Sequence, residues 1–239
     1  MSKYEQFKAL HAQGDMLLLP NAWDVPSALA FQNSGFKAIG TTSWAIAAML
    51  GYKDGENIPF EEMLLVVKRI IASIDIMVTV DAEAGYAQDE VSIVANILKI
   101  VEAGAVGINF EDTIKGAGGV LQPIEKQVSA IRAIKNSVVT DDGPIFLNAR
   151  IDTFLVEKDQ QQACKATIER GRAYIEAGAD CLFVPFLTDE GMISEIAAAC
   201  DAPINILALP QMADLRKIQS LGVNRLSLGN GVFDMVVKR

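Results

Sequence analysis

The 239-residue chain is 51% hydrophobic but only 7% aromatic. That is enough apolar material for one domain spanning residues 1–239, of a length that suits a (β/α)₈ barrel, which typically takes about 250 residues. A net charge of −9 with no basic run excludes nucleic acid and anionic membrane surfaces as partners, because both require clustered Lys and Arg.

Strand-like runs alternate with helix-like ones from end to end. A strand is expected at 16–19, running into Asn21, Trp23 and Asp24, then a helix at 25–33. The next strand, 37–40, runs into Thr41, Thr42, Ser43 and Trp44. A helix at 60–73, opened by Pro59, leads to a strand at 76–80 that ends in Asp81 and Glu83. After a helix at 91–102 comes a strand at 107–110 ending in Glu111 and Asp112. Pro123 opens a helix at 124–136, and the strand at 145–149 ends in Arg150 and Asp152. A helix at 161–177, a strand at 181–184 and a helix at 190–199 follow. The seventh strand, 204–207, contains Asn205; a helix at 212–221 and a strand at 225–228 complete the series.

Four of these helices stop at Gly35, Gly104, Gly178 and Gly222, each followed at once by a strand. Glycine takes the left-handed C-cap conformation without steric cost, so the repetition points to one repeated βα unit around a parallel sheet. No Gly-x-Gly-x-x-Gly follows the first strand, which disfavours a dinucleotide site. About a dozen residues follow the eighth strand, so the closing helix is short, missing or supplied by another subunit. No segment approaches the roughly 20 apolar residues of a membrane span, and residues 1–8 carry no apolar signal core, so a cytoplasmic location is expected.

In a barrel the C-terminal strand ends form the active site. Asp81, Glu83 and Glu111 there make the hard oxygen cluster that Mg²⁺ prefers, with Mn²⁺ the alternative. Asp24 is read as a helix N-cap, and Asp112 has the same bland reading. Arg150 either pairs with Asp152 or Glu111 or faces substrate. The single histidine, His11, lies in a polar N-terminal segment and is expected on the solvated surface. Its position makes a Ser-His-Asp triad or a histidine zinc site hard to build, so acid–base work falls to carboxylates, Lys, Tyr or a metal-bound group. Cys164, Cys181 and Cys200 have no paired spacing and are expected to be reduced and mostly buried.

Several segments together resemble the isocitrate lyase/phosphoenolpyruvate mutase superfamily. They are Pro20-Asn-Ala-Trp23-Asp24-Val-Pro-Ser27-Ala, Thr41-Thr-Ser43-Trp44-Ala, Gly51-Tyr52-Lys-Asp54-Gly, Asp81-Ala-Glu83-Ala-Gly85-Tyr86, Asn109-Phe-Glu111-Asp112 and Asn148-Ala-Arg150-Ile-Asp152. Later strands, Val184-Pro185-Phe186-Leu187-Thr188 and Val223-Asn-Arg225-Leu-Ser227-Leu-Gly229, continue the match over nearly the whole chain. The resemblance implies a (β/α)₈ barrel that uses Mg²⁺ to make or break C–C or P–C bonds beside a 2-oxo acid. It implies metal coordination by Asp81, Glu83 and Glu111, partly through water, with Asp54 as base or partner near the metal. Ser43 and the backbone of Trp44 and Ala45 would hold the substrate carboxylate, and Arg150 would neutralise charge at the breaking bond. Trp23, after the first strand, and Asn205, within the seventh, complete the expected substrate contacts, and Lys115 joins Asp54 and Arg150 as a candidate catalytic group. Members also form homo-oligomers, dimers or tetramers, that exchange the last helix.

One loop departs from the family pattern. Lyases of the superfamily carry a Lys-x-Cys-Gly-His-like loop after the fourth strand, and the mutases an Asn-Ser pair. Here the loop reads Lys115-Gly-Ala-Gly-Gly119-Val-Leu121, expected to be a mobile lid on account of its glycines. The expectation is therefore a lyase or decarboxylase of a small 2-oxo or 2-hydroxy dicarboxylate, oxaloacetate being the simplest. The alternatives are a P–C bond enzyme (phosphonopyruvate hydrolase or phosphoenolpyruvate mutase-like), a Schiff-base aldolase using Lys115, and a non-catalytic metal-binding barrel.

Overall fold

The computed structural model describes residues 1–12, 14–116, 119–140, 142–210, 212 and 214–237. Eight parallel strands form its centre. β1 is split into Leu17–Leu19 and Asn21–Ala22; β2 is Ala38–Thr41, β3 Met77–Asp81, β4 Gly107–Glu111, β5 Phe146–Arg150, β6 Cys181–Val184, β7 Ile204–Leu207 and β8 Arg225–Ser227. Apart from the Asn21–Ala22 half of β1, which was not expected, every strand lies within one residue of its expected bounds. Neighbours pair in chain order, and the split strand closes the ring: Leu17–Leu19 pairs with β8 and Asn21–Ala22 with β2. Pro20 sits at the change of partner, where its missing N–H is no loss, and its carbonyl still accepts from Gly40 N at 2.8 Å.

The helices are α1 (Lys3–Leu10), α2 (Val25–Asn33), α3 (Ser43–Met49), α4 (Phe60–Ile71), α5 (Glu90–Glu102), α6 (Ile124–Ser137), α7 (Thr153–Val156), α8 (Gln160–Glu176), α9 (Glu190–Ala199), α10 (Leu215–Ser220) and α11 (Gly231–Val237). The seven expected from periodicity are present; α1, α3 and α7 are additions, and α11 is the closing helix, present and short. Gly35, Gly104, Gly178 and Gly222 all have positive φ, between 86° and 108°, as the αβ turns require. The closing helix, α11, has seven residues. No described helix is long and apolar enough to cross a membrane, and all three cysteines are free and buried.

α1 plugs the N-terminal end of the barrel. Phe7 is fully buried there with Leu19, Ala38, Val106, Phe146 and Cys181. His11, the C-cap of α1, is not the solvated residue its polar segment implies: it is 2% exposed. Its ring stacks on Phe146 with centroids 4.5 Å apart and meets Phe7 edge-on at 5.0 Å. The reason is tertiary: the apolar mouth of the barrel needs a flat filler, and the end of α1 drops the imidazole into it. Burial, reinforced by Arg225, pushes its pKa down to about 3, although a 2.9 Å contact between Nδ1 and Phe7 O favours the charged form.

Candidate active site

Strand register builds the barrel interior in layers. β4 and β5 pair Gly107 with Phe146, Asn109 with Asn148 and Glu111 with Arg150, so alternate residues pass from apolar to amide to charged toward the C-terminal mouth. Gly107 is needed for this approach, because a Cβ there would lie 2.9 Å from Phe146 O and 3.0 Å from Thr79 Oγ1. In the amide layer Asn148 Nδ2 donates to Asn109 Oδ1 at 2.8 Å, and Arg225 donates through Nε to Ser227 Oγ at 3.1 Å. Ser227 Oγ in turn donates to Asn205 Oδ1 at 3.1 Å.

Above that layer a cavity of about 140 Å³ opens, lined by residues that include Ser43, Trp44, Asp54, Asp81, Asn109 and Arg150. Asp81 Oδ2 accepts from the hydroxyl of Ser43 at 2.8 Å and from its N–H at 3.2 Å. Asp81 Oδ1 is buried without a hydrogen-bond partner. Burial raises the Asp54 pKa, and the neighbouring Glu83 and Asp81 charges raise it further.

The two glutamates are more heavily engaged. Glu83 takes the left-handed conformation, φ 48°, as do Glu56 and Tyr86 at 59° and 55°. Such outliers in non-glycine residues cost of order 1–3 kcal/mol each and collect at functional sites. Glu83 Oε1 accepts from Tyr86 OH at 2.8 Å, and Oε2 from Glu56 N at 2.9 Å and Lys115 Nζ at 2.8 Å. Glu111 meets Lys115 Nζ at 2.5 Å through Oε1 and Arg150 Nη1 at 2.9 Å through Oε2. Arg150 Nε also donates to Asp152 Oδ1 at 2.7 Å. Burial pushes the Glu111 carboxyl pKa up, and Arg150 pulls against that rise. For Lys115 burial works against the charge, but Glu111 and Glu83 outweigh it and hold the pKa above the ordinary lysine range. The amine therefore stays protonated, which removes the support for a Schiff-base role.

Of the expected site residues, the structure brings Ser43, Trp44, Asp54, Asp81 and Arg150 around the cavity, with Glu83, Glu111 and Lys115 adjoining. Trp23, Ala45 and Asn205 are not among the lining residues. Trp23 packs edge-on against Phe233 at 5.2 Å. The Ala45 N–H is turned to Thr42 Oγ1 at 3.4 Å, and Asn205 is fully buried below the mouth. Asp24 is the N-cap expected of it, accepting from Ser27 N at 2.7 Å. Asp112 caps no helix: it is fully buried and accepts from Asp152 N, Arg170 Nη1 and Tyr174 OH at 3.0, 3.0 and 2.8 Å. The expected lid falls partly on Ala117 and Gly118, which lie outside the described residues. Its flanks, Thr113–Ile114 and Val120–Leu121, pair antiparallel.

Sequence reasoning missed Glu56, whose Oε1 accepts from Ala84 N at 2.9 Å and Tyr86 N at 2.8 Å, latching its loop to the one after β3. Its only sequence signal was an acid two residues beyond Asp54. Arg170 and Tyr174 gave none, since both sit on a helix far along the chain.

The donor chemistry fits a divalent ion that keeps much of its water. Asp81 Oδ1 is a buried carboxylate oxygen with no other partner, and Mg²⁺ takes few direct carboxylates. Among the described residues no three Asp, Glu, His or Cys side chains converge to hold an ion by themselves.

The family model described as phosphoenolpyruvate phosphomutase matches residues 7–239. The chain is 35% identical over 225 residues to the uncharacterized protein Rv1998c of Mycobacterium tuberculosis, covering 94% of this chain and 81% of that one. It is 29% identical over 205 residues to the 2-methylisocitrate lyase of Escherichia coli, covering 83% and 67%. A crystal structure of a candidate phosphonomutase from Burkholderia cenocepacia J2315 superposes with a TM-score of 0.94 at 34% identity, covering 99% and 96%.

Proposed function

We propose, for a chain that belongs to the phosphoenolpyruvate phosphomutase family, that it is a Mg²⁺-dependent lyase or decarboxylase of a small 2-oxo or 2-hydroxy dicarboxylate such as oxaloacetate. The observation that carries this reading is the unpartnered, buried Asp81 Oδ1 beside Arg150 in one small cavity. Around that cavity the acids Asp54, Glu56, Asp81, Glu83, Glu111 and Asp152 outnumber the cations Lys115 and Arg150. An acidic site of this kind binds an acidic substrate only when further positive charge enters with it.

Asp81 would hold the ion directly, and Glu83 and Glu111 through water. When bound, the ion polarises the 2-oxo and carboxylate oxygens of the substrate and lowers the cost of the enolate that cleavage leaves. Arg150, kept charged by Glu111 and Asp152 despite its burial, would steady the departing carboxylate. Asp54, whose raised pKa follows from burial and from Glu83 and Asp81, would return a proton to the enolate carbon. Residues 115–121 contain no Cys or His. Loss of CO₂ needs no proton donor for the leaving group, whereas retro-aldol cleavage does, so decarboxylation suits this loop better. We also read the chain as a homo-oligomer, because α11 leaves Met235, Val236 and Val237 exposed.

The test is calorimetry of oxalate, a planar mimic of the pyruvate enolate, with and without Mg²⁺, on wild type and Asp81→Asn. Binding that requires Mg²⁺ and weakens by about 10²-fold or more in the variant supports the reading. It should be accompanied by pyruvate release from oxaloacetate. Oxalate binding indifferent to metal, or none at all, refutes it.

A further inference from the structure

Lys115 presents its ammonium to Glu83 Oε2 at 2.8 Å and to Glu111 Oε1 at 2.5 Å. These are two of the three acids assigned above to the divalent ion. The other cation of the mouth, Arg150, is clamped by Glu111 and Asp152 at 2.9 and 2.7 Å and belongs to a strand. Lys115 is held differently. It follows the short ladder strand Thr113–Ile114 on a turn rather than in a barrel strand, and its charge rides on a flexible stem as a strongly hydrated point; its side chain is 21% exposed, much as that of Arg150 is at 20%. A side chain of that kind has a route to water.

We propose that Lys115 is a tethered counter-cation that competes with the divalent ion for the Glu83–Glu111 pair. The inference rests on the metal-dependent reading above. With Lys115 seated, the two buried glutamates are neutralised by the protein itself, and the acidic mouth is stable before any ion arrives. An ion bound beside Asp81 places a second positive charge within the same acid cluster. Like charges in a partly buried site repel, so ion entry drives the ammonium out toward solvent and the glutamates turn to the hydrated ion. Metal affinity is thereby reduced by the work of unseating Lys115, and the ion binds well only when substrate adds its own negative charge.

The experiment is calorimetric titration of Mg²⁺ alone, and of Mn²⁺ alone, into the full chain. The variants are Lys115→Met and Lys115→Arg, with Lys126→Met as a control that removes one positive charge from a residue outside the carboxylate pair. Lys115→Met should bind either ion about tenfold more tightly than wild type, in the range usual for two coupled ligands. Lys115→Arg, which keeps the charge and offers the acids a fork, should bind the ions more weakly than wild type. Lys126→Met should match wild type. The thermal midpoint of Lys115→Met should fall without metal and rise on adding it by more than that of wild type. Equal metal affinity in wild type and both Lys115 variants overturns the competition and leaves the metal-dependent reading standing. No metal binding by any form overturns both. If Lys115→Met fails to fold, the Lys115→Arg titration decides: affinity equal to or tighter than wild type overturns the proposal.

Discussion

Replacing His11 with Gln tests whether a neutral imidazole seals the base of the barrel. In the folded chain, burial and the charge of Arg225 hold its pKa at about 3, against about 6.5 for an unperturbed histidine. Between those values the unfolded chain binds a proton that the folded chain refuses. Stability from the neutral ring is therefore complete above about pH 6.5 and drains away as the pH falls toward 3. One pKa unit corresponds to about 1.4 kcal/mol, so acidification from pH 7 to pH 4.5 should withdraw about 2–3 kcal/mol through this one residue. Glutamine offers an N–H for the Phe7 carbonyl, now 2.9 Å from Nδ1, and does not titrate. Urea unfolding of both proteins from pH 7 to pH 4.5 measures the difference directly. The variant is expected to start less stable, because an amide packs poorly on Phe146, and then to lose about 2–3 kcal/mol less than wild type over the range. Parallel profiles would refute the reasoning: the ring would then be reaching water or a carboxylate, and α1 would not be the seal described.

Two further outcomes follow from the interior. Asp112→Ala removes the acid that holds Arg170, Tyr174 and the Asp152 N–H together, leaving a buried cation without its partner. Urea unfolding should show a loss of about 3–5 kcal/mol, and a loss under 1 would mean that water already shares the site. Gly107→Ala places a methyl 2.9 Å from the Phe146 carbonyl, a backbone atom that cannot swing aside. A drop of about 1–3 kcal/mol in stability is expected, and a neutral result would show that the β4–β5 pair is looser than its register implies.

The barrel was legible because each strand is a short apolar run, with β3, β4 and β5 stopping at charge, and because four left-handed glycines punctuate the helices before the next strand. Both signals are local, and local chemistry decides them. The acids at the ends of β3 and β4 were legible for the same reason. His11 was not, since it lies in a largely polar N-terminal segment, while Phe146, which stacks on it, and Arg225, whose charge acts on it, arrive from strands more than a hundred residues away. Asn205 was misplaced by one layer: its position on a strand is visible in sequence, but its height depends on the stagger around the barrel. Lys115 was visible as a lysine near a strand end. That it bridges Glu83 and Glu111 depends on the left-handed turn at Glu83, which no residue type there announces.

The buried Arg225 explains how so acidic a mouth is tolerated before any ion arrives. Its guanidinium is fully buried inside the barrel, and burial lowers its pKa to about 10. Its described hydrogen-bond partners are neutral: Ser227 Oγ at 3.1 Å and Asn109 Oδ1 at 3.4 Å. A carboxylate in that layer would have paired with the arginine and cancelled its field. Amide and hydroxyl dipoles solvate the charge without cancelling it, so Asp81 in the layer above still feels it. A fixed cation beneath the mouth offsets part of the Asp81 charge from a place that no substrate occupies. Arg150 is committed to two acids from the strand itself. Among the described residues Lys115 bridges two of the mouth's acids from a loop, and its seat is the place where positive charge can be exchanged.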